Sequence, residues 1–261
     1  VQSGQTITLL DNCSGNGIKV NENRNFTIDF NGKTYTVDGN LVGSTGTETN
    51  GFQLLKDSNL TFKNGTITSS KAKILIQNYS NLNLENMTLI GNAPCLYTLS
   101  NNNGDVNING CEITAAEGKV AFDVYTFGSY TGANVSVTDT TVNGPIELGA
   151  ADGSNSSTLA LTLGEGTDLT NSSIIMGNGG DKVNVTKADS VNVAAPAGYQ
   201  WDADGKLVDK YVAKIDETQY KTLAEAVTAV QSGQTITLLD NCSGNGIVVP
   251  TGSNFTIDFA G

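Results

Sequence analysis

"NLTFKNGTITS", residues Asn59–Ser69, is the stretch of sequence that decides the fold. Its first half alternates apolar Leu60 and Phe62 with polar residues, which is the period of a strand with one inward face. An Asn-Gly turn follows, and Thr66–Thr68 then starts a second short strand. The stretch therefore predicts a strand, a corner and a second strand.

The same phrase returns along the chain at a nearly steady interval. Its first apolar residues are Phe26, Leu60, Leu82, Val106, Val135, Leu159 and Val183, with successive spacings of 34, 22, 24, 29, 24 and 24 residues. Short strands at such spacing predict an all-β fold, a parallel β-helix or solenoid with coils of about 22–24 residues. We interpret the two long intervals as coils with inserted loops near Leu41–Asn50 and Glu117–Ala133. A β-sandwich is the alternative, but it has no reason to repeat one phrase so steadily.

A second and longer period encloses the first. "VQSGQTITLLDNCSGNGI" occupies Val1–Ile18 and returns unchanged at Val230–Ile247, and the similarity continues to Gly32 and Gly261. The period is 230 − 1 = 229 residues, so we expect one complete repeat of a tandem array and the start of the next. A catalytic domain seldom needs to recur in one chain, whereas a stalk, a fibre or a multivalent binder gains reach or avidity with each copy.

Composition allows a folded core and excludes some partners. The chain has 261 residues, of which 38% are hydrophobic, and its net charge is −12. This charge repels phosphate backbones and anionic lipids, so nucleic acid is not an expected partner. No stretch approaches the roughly 20 apolar residues of a membrane span, and we expect no membrane insertion in this segment.

The cysteines do not form a disulfide framework. Cys242 is the repeat of Cys13, which leaves Cys13, Cys95 and Cys111 as the distinct positions of one period. We interpret them as small buried apolar residues. A Cys95–Cys111 bridge is the alternative. Because the chain has no histidine and no CxxC pair, we expect no metal and no other cofactor.

A boundary between modules begins at Ala195, where "APAGYQWDADGKLVDKYVAKIDETQ" replaces the coil phrase with proline, glycine and charge. We expect a β-helix module at 1–194, a junction at 195–219, and a capping helix with the first coils of the next repeat at 220–261. Tyr199 and Trp201 are expected to plug the end of the last coil. A sugar-stacking platform is their alternative role.

"YKTLAEAVTAV", which starts at Tyr220, predicts one short amphipathic helix that runs to Gly233. Its capping and apolar-face residues are Thr222 and Glu225, which form a T-x-x-E capping box, and Leu223, Ala226, Val227 and Val230. Such a helix suits the role of a lid on the open end of a solenoid. By the 229-residue period, we expect the same helix to precede Val1 in the parent chain. Module 1–194 as given lacks this N-terminal helix, so we expect its first coil to be either uncapped or capped by another molecule.

This junction resembles the repeat junctions of large bacterial cell-surface proteins, especially those of gut Firmicutes. The helix "TLAEAV", a glycine turn and "QTITLL" are also similar to the start of pectate-lyase-like β-helices. The resemblance covers roughly residues 195–240. The resemblance implies a right-handed parallel β-helix that forms part of an extracellular adhesin or fibre. The implied partners are neighbouring copies of the repeat, by stacking within the chain or end-to-end self-assembly, and a host glycan or surface protein.

The sequence lacks the catalytic residues that enzymes with the pectate-lyase-like fold use. They use an arginine or lysine base beside calcium, or paired aspartates with a histidine. The only arginine, Arg24, is Ser253 in the second copy, and the acids are spread one to a coil. We therefore expect a non-catalytic structural repeat. A carbohydrate-binding module, or a polysaccharide lyase or hydrolase, are the alternatives.

The most suggestive binding stretch is "VAFDVYTFGSYTG" in the longer internal insertion. Its aromatic residues Tyr125, Phe127 and Tyr130 are the candidate ligand contacts. Tyr125 and Phe127 alternate along the chain and would project to one side of a strand, where they could stack on a sugar ring. The alternative is that they pack inward against the neighbouring coil.

Overall fold

A computed structural model describes residues 1–126, 132–150 and 159–260. The chain divides into two compact units. Unit 1 consists of Val1–Pro196 with Ala203–Lys206, and unit 2 consists of Ala197–Asp202 with Leu207–Gly261.

The regular elements described in unit 1 are strands and one short 3-10 helix. In chain order these are β1 (Gln5–Thr8), β2 (Cys13–Gly15), β3 (Ile18–Val20), β4 (Asn25–Val37), β5 (Val42–Ser44), β6 (Thr47–Leu54), β7 (Asn59–Ser69), β8 (Ile74–Asn78), β9 (Asn81–Gly91), β10 (Tyr97–Asn101), β11 (Val106–Asn109), β12 (Glu112–Thr114), β13 (Val120–Val124), β14 (Asn134–Thr138), β15 (Thr141–Asn143), β16 (Ile146–Leu148), β17 (Ala160–Leu163), β18 (Asp168–Asn171), β19 (Ile174–Met176) and β20 (Asn184–Lys187). A 3-10 helix covers Gly180–Lys182.

Unit 2 holds the remaining elements. They are β21 (Tyr199–Trp201), β22 (Leu207–Asp209), β23 (Ala213–Ile215), β24 (Thr218–Tyr220), α1 (Leu223–Ala229), β25 (Thr235–Leu238) and β26 (Thr256–Asp258). Helix α1 is too short to cross a membrane, and no longer apolar helix occurs in the described part of the chain.

The strands of unit 1 stack in parallel on three faces. The first face runs β1-β4-β7-β9-β11-β14-β17-β20. The second face uses β2, the later halves of β4, β7 and β9, and then β12, β15 and β18. The third face runs β3-β6-β8-β10-β13-β16-β19, with β5 beside β6. This order confirms the predicted parallel β-solenoid, in which every coil lies on its sequence neighbour.

Five successive coils turn their first corner through a residue with left-handed backbone. The corner residues are Asn31, Asn64 and Asn86 inside the long strands β4, β7 and β9, followed by Gly110 and Asp139, with φ of 51°, 59°, 52°, 64° and 47°. Glycine, asparagine and aspartate tolerate this conformation better than other residues. The Asn-Gly phrase of the sequence therefore encodes the corner.

The core consists of apolar side chains stacked along the solenoid. On the first face, Leu60 lies on Leu82 and Leu82 on Val106, and none of the three is more than 1% exposed. Phenylalanines fill the part of this core between the early coils, where the centre of the Phe62 ring lies 6.0 Å from that of Phe30 and 5.7 Å from that of Phe52, both edge to face. Burial of each such side chain stabilises the fold by about 1.5–3 kcal/mol.

The last two coils are aligned differently from the prediction. Val135 pairs with Leu161, and Leu161 pairs with Val185, so the predicted positions Leu159 and Val183 are each two residues too early. A shift of two residues leaves the alternation of apolar and polar side chains intact, and only a shift of one would invert it. The pattern alone could not detect the error.

The two predicted insertions have different structures. The first contains an antiparallel hairpin in which Ser44 of β5 pairs with Thr47 of β6. The second, Glu117–Ala133, is only partly a loop, because β13 lies on the third face with Phe122 paired to Leu99. Residues 127–131 of this insertion lie outside the described residues.

All four cysteines are free thiols. Cys95 and Cys111 are buried, as predicted, and burial raises the pKa of both thiols. The alternative Cys95–Cys111 bridge is absent. Cys13 and Cys242 are exposed, so the prediction of burial is wrong for this pair. Cys13 lies on β2, the first strand of the second face in the described residues, and only β4 packs beside that strand.

Candidate functional site

Unit 2 places a small cover over the repeated sequence. Strand β23 pairs antiparallel with β24 on one side and with β25 on the other, and β25 pairs in parallel with β26. The hairpin between β23 and β24 turns at Asp216, whose φ is 52°. We call residues 210–230, which carry β23, β24 and α1, the lid.

Helix α1 closes the lid and starts as its sequence predicts. The Thr222 hydroxyl accepts a hydrogen bond from the Glu225 backbone N–H at 3.1 Å, and the Glu225 carboxylate accepts one from the Thr222 N–H at 3.1 Å. The helix ends at Ala229 rather than at the predicted Gly233, because Val230 already has extended backbone with ψ of 137°. Gly233 instead forms the following turn, with φ of 84°.

The lid and β25 share one apolar core. Its buried members are Val212, Ala213, Ile215, Ala226, Val227 and Ile236, with Tyr220, Leu223, Val230, Leu238, Phe255 and Ile257 partly buried around them. Ile236, at the centre of β25, is 0% exposed. The predicted face of the helix thus packs on the first strand of the second sequence copy.

Polar contacts fix the lid on the same strand. The Lys210 ammonium lies 2.8 Å from the Asp240 carboxylate, and this bond lowers the pKa of Asp240. The Gln234 side-chain amide donates to the Asp216 carboxylate at 3.0 Å. Just beyond the end of β25, the backbone N–H of Leu239 donates to the carbonyl of Val212 at 2.9 Å. The lid therefore contacts β25 and the residues just after it through apolar side chains, an ion pair and a backbone hydrogen bond.

The first copy of the sequence lacks this cover among the described residues. Strand β1 pairs with β4 through Ile7 and Ile28, which is the register of Ile236 and Ile257 in the second copy. On its other edge β1 is the terminal strand of the sheet in the part of the chain that the structure describes. Ile7 is 37% exposed and Leu10 is 86% exposed. An unpaired edge and an uncovered apolar surface coincide here.

The second copy has the opposite open side. Leu223, Leu238, Leu239, Cys242 and Phe259 help to line a groove of about 470 Å³ in unit 2. Phe259 is 70% exposed, whereas its counterpart in the first copy, Phe30, is 1% exposed beneath the next coil. The groove thus runs between the lid helix and the second copy of the repeated sequence.

A second polar feature lies on the third face of unit 1. The Asp123 carboxylate is 7% exposed and accepts hydrogen bonds from the Asn101 backbone N–H and the Ser100 hydroxyl. Burial, together with the negative charge of Glu147, raises the pKa of Asp123 to about 8 against the lowering effect of the Asn101 bond. The Tyr97 hydroxyl donates to Glu147 at 2.8 Å. Burial, with this bond, raises the pKa of Tyr97.

Sequence analysis missed this acidic pair. Asp123 stands inside the apolar run "VAFDV", and a charged residue within such a run was the available signal of a buried polar group. Its neighbour Glu147 comes from the next coil, since Asp123 pairs with Glu147 in the strand register. That proximity depends on the stacking of coils and could not be found before the register was known.

Of the three predicted ligand contacts, only Tyr125 is described. Phe127 and Tyr130 lie outside the described residues. Tyr125 follows β13, pairs with Asn102 and is partly buried. Its ring lies against Gly149 of the next coil, so closely that a Cβ there would sit 2.8 Å from the ring. Tyr125 thus contacts a neighbouring coil, and its role in ligand binding stays a prediction.

The predicted junction aromatics belong to unit 2. Tyr199 and Trp201 lie on β21, which pairs antiparallel with β22. The Lys221 ammonium sits 5.3 Å from the centre of the Tyr199 ring and 2.8 Å from the Asp209 carboxylate. The Tyr199 ring therefore makes a cation–π contact with Lys221 inside unit 2. Its predicted role as a plug for the last coil stays a prediction.

In residues 1–126, 132–150 and 159–260, no three acidic or cysteine side chains are grouped so that they could hold a metal ion. No family model matches the chain, and neither the curated proteins nor the solved structures gave a match. Its function is therefore argued from the repeat and from the geometry of the lid.

Proposed function

We propose that this chain is a non-catalytic structural repeat of a secreted or cell-surface bacterial protein, and that it extends a stalk or fibre that displays adhesive function. One observation carries the proposal. In unit 2 the second sequence copy rebuilds the β1–β4 pair of the first copy, with Ile236 opposite Ile257 as Ile7 is opposite Ile28, directly under a lid. A repeat that ends in a lid and restarts the same coil is suited to serial stacking.

Stacked coils give unit 1 its length. Eight strands lie side by side on the first face of unit 1, and strands are spaced about 4.8 Å apart, so unit 1 adds on the order of 40 Å per period. Each coil is held by backbone ladders and apolar stacks of its neighbours. Each additional period would then add one more such stack of coils to the array.

Electron microscopy tests this proposal. We would image a chain in which residues 1–229 occur three times before 230–261, and we expect straight rods with an axial repeat of one period. The control carries Val227→Asp in every lid, which places a charge in the core of each junction. It should give beads on a bent string. Beads from the unsubstituted chain would overturn the stacking proposal.

The surface location rests on the resemblance of residues 195–240 to repeat junctions of bacterial surface proteins. Antibodies raised against the chain should label intact producing cells, and label found only after lysis would overturn this part. Catalysis is tested by incubating the chain with acidic and neutral polysaccharides. New reducing ends or unsaturated sugars above a boiled control would overturn the non-catalytic assignment.

A carbohydrate-binding adhesin module is the second candidate, and one observation favours it. Tyr97, hydrogen-bonded to Glu147, and the partly exposed Tyr125 occupy neighbouring coils on the third face. Aromatic rings beside carboxylates are suited to stacking on and hydrogen bonding to a sugar. Binding on a glycan array that is lost in Glu147→Gln and kept in the distant Glu48→Gln would support it. No binding by the unsubstituted chain would favour the stalk alone.

A further inference from the structure

We propose that the third-face site formed by Tyr97, Tyr125 and Glu147 binds uncharged sugars and rejects sugars that carry a carboxylate. This inference rests on the carbohydrate-binding candidate above and names the class of its ligand. The site lies along β10, β13 and β16, with β8 before it and β19 after it on the same face. Neighbouring coils therefore fix its geometry on both sides.

Tyr97 holds Glu147 in place from two coils away. Tyr97 lies on β10 and Glu147 on β16, with β13 between them. The Tyr97 hydroxyl donates to Glu147 Oε2 at 2.8 Å, so the Tyr97 side chain crosses the intervening strand. Both residues are partly exposed. The surface of the third face therefore presents an aromatic ring beside a carboxylate of fixed orientation.

The other oxygen of Glu147 is available to a ligand. No described residue donates a hydrogen bond to Glu147 Oε1, and the ion pairs in the described part of the chain do not include Glu147. Gly177 lies beside this oxygen, where a Cβ would be 2.8 Å away. Because Gly177 has no side chain and Glu147 is partly exposed, Oε1 can accept a hydrogen bond from a sugar hydroxyl.

Tyr125 supplies a second polar group to the site. Burial is the largest cause of the raised pKa of Tyr97, the bond to Glu147 comes next, and the charge of Tyr125 adds to them. Such an effect weakens with distance, so the two phenol groups are neighbours. The Tyr125 hydroxyl makes no hydrogen bond to a described residue. It can therefore donate to or accept from a sugar hydroxyl.

Negative charge decides which sugars fit this site. The charge of Glu147 has no cationic partner among the described residues, and the second carboxyl group, Asp123, lies opposite it in the strand register. Tyr97 gives Glu147 a hydrogen bond but no positive charge. An uncharged sugar can donate hydroxyl hydrogens to Oε1, whereas a carboxylate on the sugar brings a like charge to the same place. The site therefore favours neutral sugars.

A glycan array of matched pairs tests the ligand class on the unsubstituted full chain. Each neutral hexose oligosaccharide stands beside the same oligosaccharide with its primary alcohols oxidised to carboxylates, so that the two members of a pair differ in charge at one carbon of each ring. We expect binding to a subset of the neutral members. Their oxidised counterparts should bind about tenfold more weakly or not at all.

Two substitutions assign this preference to Glu147. Glu147→Gln removes the charge at nearly constant size, and calorimetry at high ligand concentration should find affinities for the two members of a pair within about threefold of each other. The matched control, Glu85→Gln, removes an exposed charge from β9 on the first face and should keep the preference. Tyr97→Phe should weaken neutral binding but keep the preference, because Glu147 retains its charge.

The outcomes separate this inference from the function on which it rests. Oxidised members bound as tightly as neutral ones would overturn the inference and leave the carbohydrate-binding candidate standing. Binding to neither member of any pair would overturn both, and the stalk would remain. A neutral preference that Glu147→Gln keeps in full would also overturn the inference, since the preference would then arise at another place on the chain.

Discussion

Two regions with the same eighteen residues, Val1–Ile18 and Val230–Ile247, have different structures. In the first copy Cys13–Gly15 forms β2, and Ile18–Val20, which starts at the last identical residue, forms β3. In the second copy the matching residues form no strand. The reason lies in the neighbours, since β2 pairs with the later half of β4 and β3 with β6, and no described strand of unit 2 takes either place.

Burial reverses between the copies as well. The lid covers Ile236 but not Ile7, which is 37% exposed. Phe62 of β7 packs on Phe30, whereas Phe259 is 70% exposed and no such ring lies on it among the described residues. The matched side chains of the two copies thus differ in burial because different elements lie beside them. In a solenoid, a strand is stabilised by the coils beside it more than by its own sequence.

The largest expected effect is on the free energy of unfolding, and it concerns two phenylalanines in the same repeat position, Phe30 and Phe259. Phe30→Ala should lower the free energy of unfolding of unit 1 by about 3–5 kcal/mol, because a fully buried ring is lost and leaves a cavity. Phe259→Ala should change that of unit 2 by less than about 0.5 kcal/mol. Native-state hydrogen exchange of each unit measures both. Equal losses would show that both rings are buried in solution.

The next prediction compares the stability lost at two isoleucines in the same repeat position, Ile7 and Ile236. Ile236→Ala should destabilise unit 2 by about 2–4 kcal/mol, and Ile7→Ala should cost unit 1 about 1 kcal/mol or less, since Ile7 is partly exposed. Exchange rates of the β25 and β1 amides report the two values. Similar values for both variants would mean that β1 is already covered, which denaturant titration at several protein concentrations would reveal.

A pH titration separates the two units. The pKa of Asp123 is raised to about 8 in the fold from an ordinary value of 3.8. Folding therefore favours its protonated form, and the stability of unit 1 should rise as pH falls from 8 towards 4, by on the order of 4 kcal/mol between pH 8 and 5. Asp123→Asn should remove this pH dependence, because an amide does not titrate in this range. The fold should persist, because the amide can keep the bonds to Asn101 and Ser100.

Unit 2 should respond with the opposite sign and at lower pH. The pKa of Asp240 is lowered by its bond to Lys210, so that contribution is present above about pH 4 and is lost as pH falls through the folded pKa. Exchange measured from pH 5 to 8 should leave unit 2 unchanged. A parallel shift of both units would contradict the assignment of the pH dependence to Asp123.

The smallest effect concerns the first corner. Asn31 and Ala260 occupy the same repeat position with φ of 51° and 52°. Each backbone N–H donates to the aspartate two residues earlier at 2.9 Å. Because alanine is strained in this conformation, Asn31→Ala should destabilise unit 1 by about 1 kcal/mol, and Ala260→Asn should stabilise the β25–β26 pair by up to about 1 kcal/mol. Hydrogen exchange at β4 and β26 checks both, with Ala260→Gly as the control for backbone strain alone.

Much of the fold could be predicted because it repeats locally. Alternation identified the strands, and Asn-Gly identified the corners at Asn31 and Asn64. The T-x-x-E spacing identified the start of α1, since a capping box depends on residues only three apart. The end of α1 was missed by four residues, because apolar spacing continues past the point where Val230 becomes extended.

The candidate site was only partly within reach of the sequence. The lid's apolar face was found from its helical period, but the pairing of Lys210 with Asp240 joins residues thirty apart through a tertiary fold. Asp123 and Glu147 likewise meet across coils. The exposure of Cys13 was missed because composition cannot tell an outer strand from an inner one.

The sequence by itself determined a stacked β-fold, its left-handed corners, the helix cap and the 229-residue period, because these depend on residues within one or two turns or on literal repetition. Only the tertiary structure decided which copy of the repeated strand is covered, which face of it is open and where Asp123 becomes buried. Backbone edges and apolar faces are satisfied by neighbours from other coils. The same eighteen residues therefore acquire two environments when those neighbours differ.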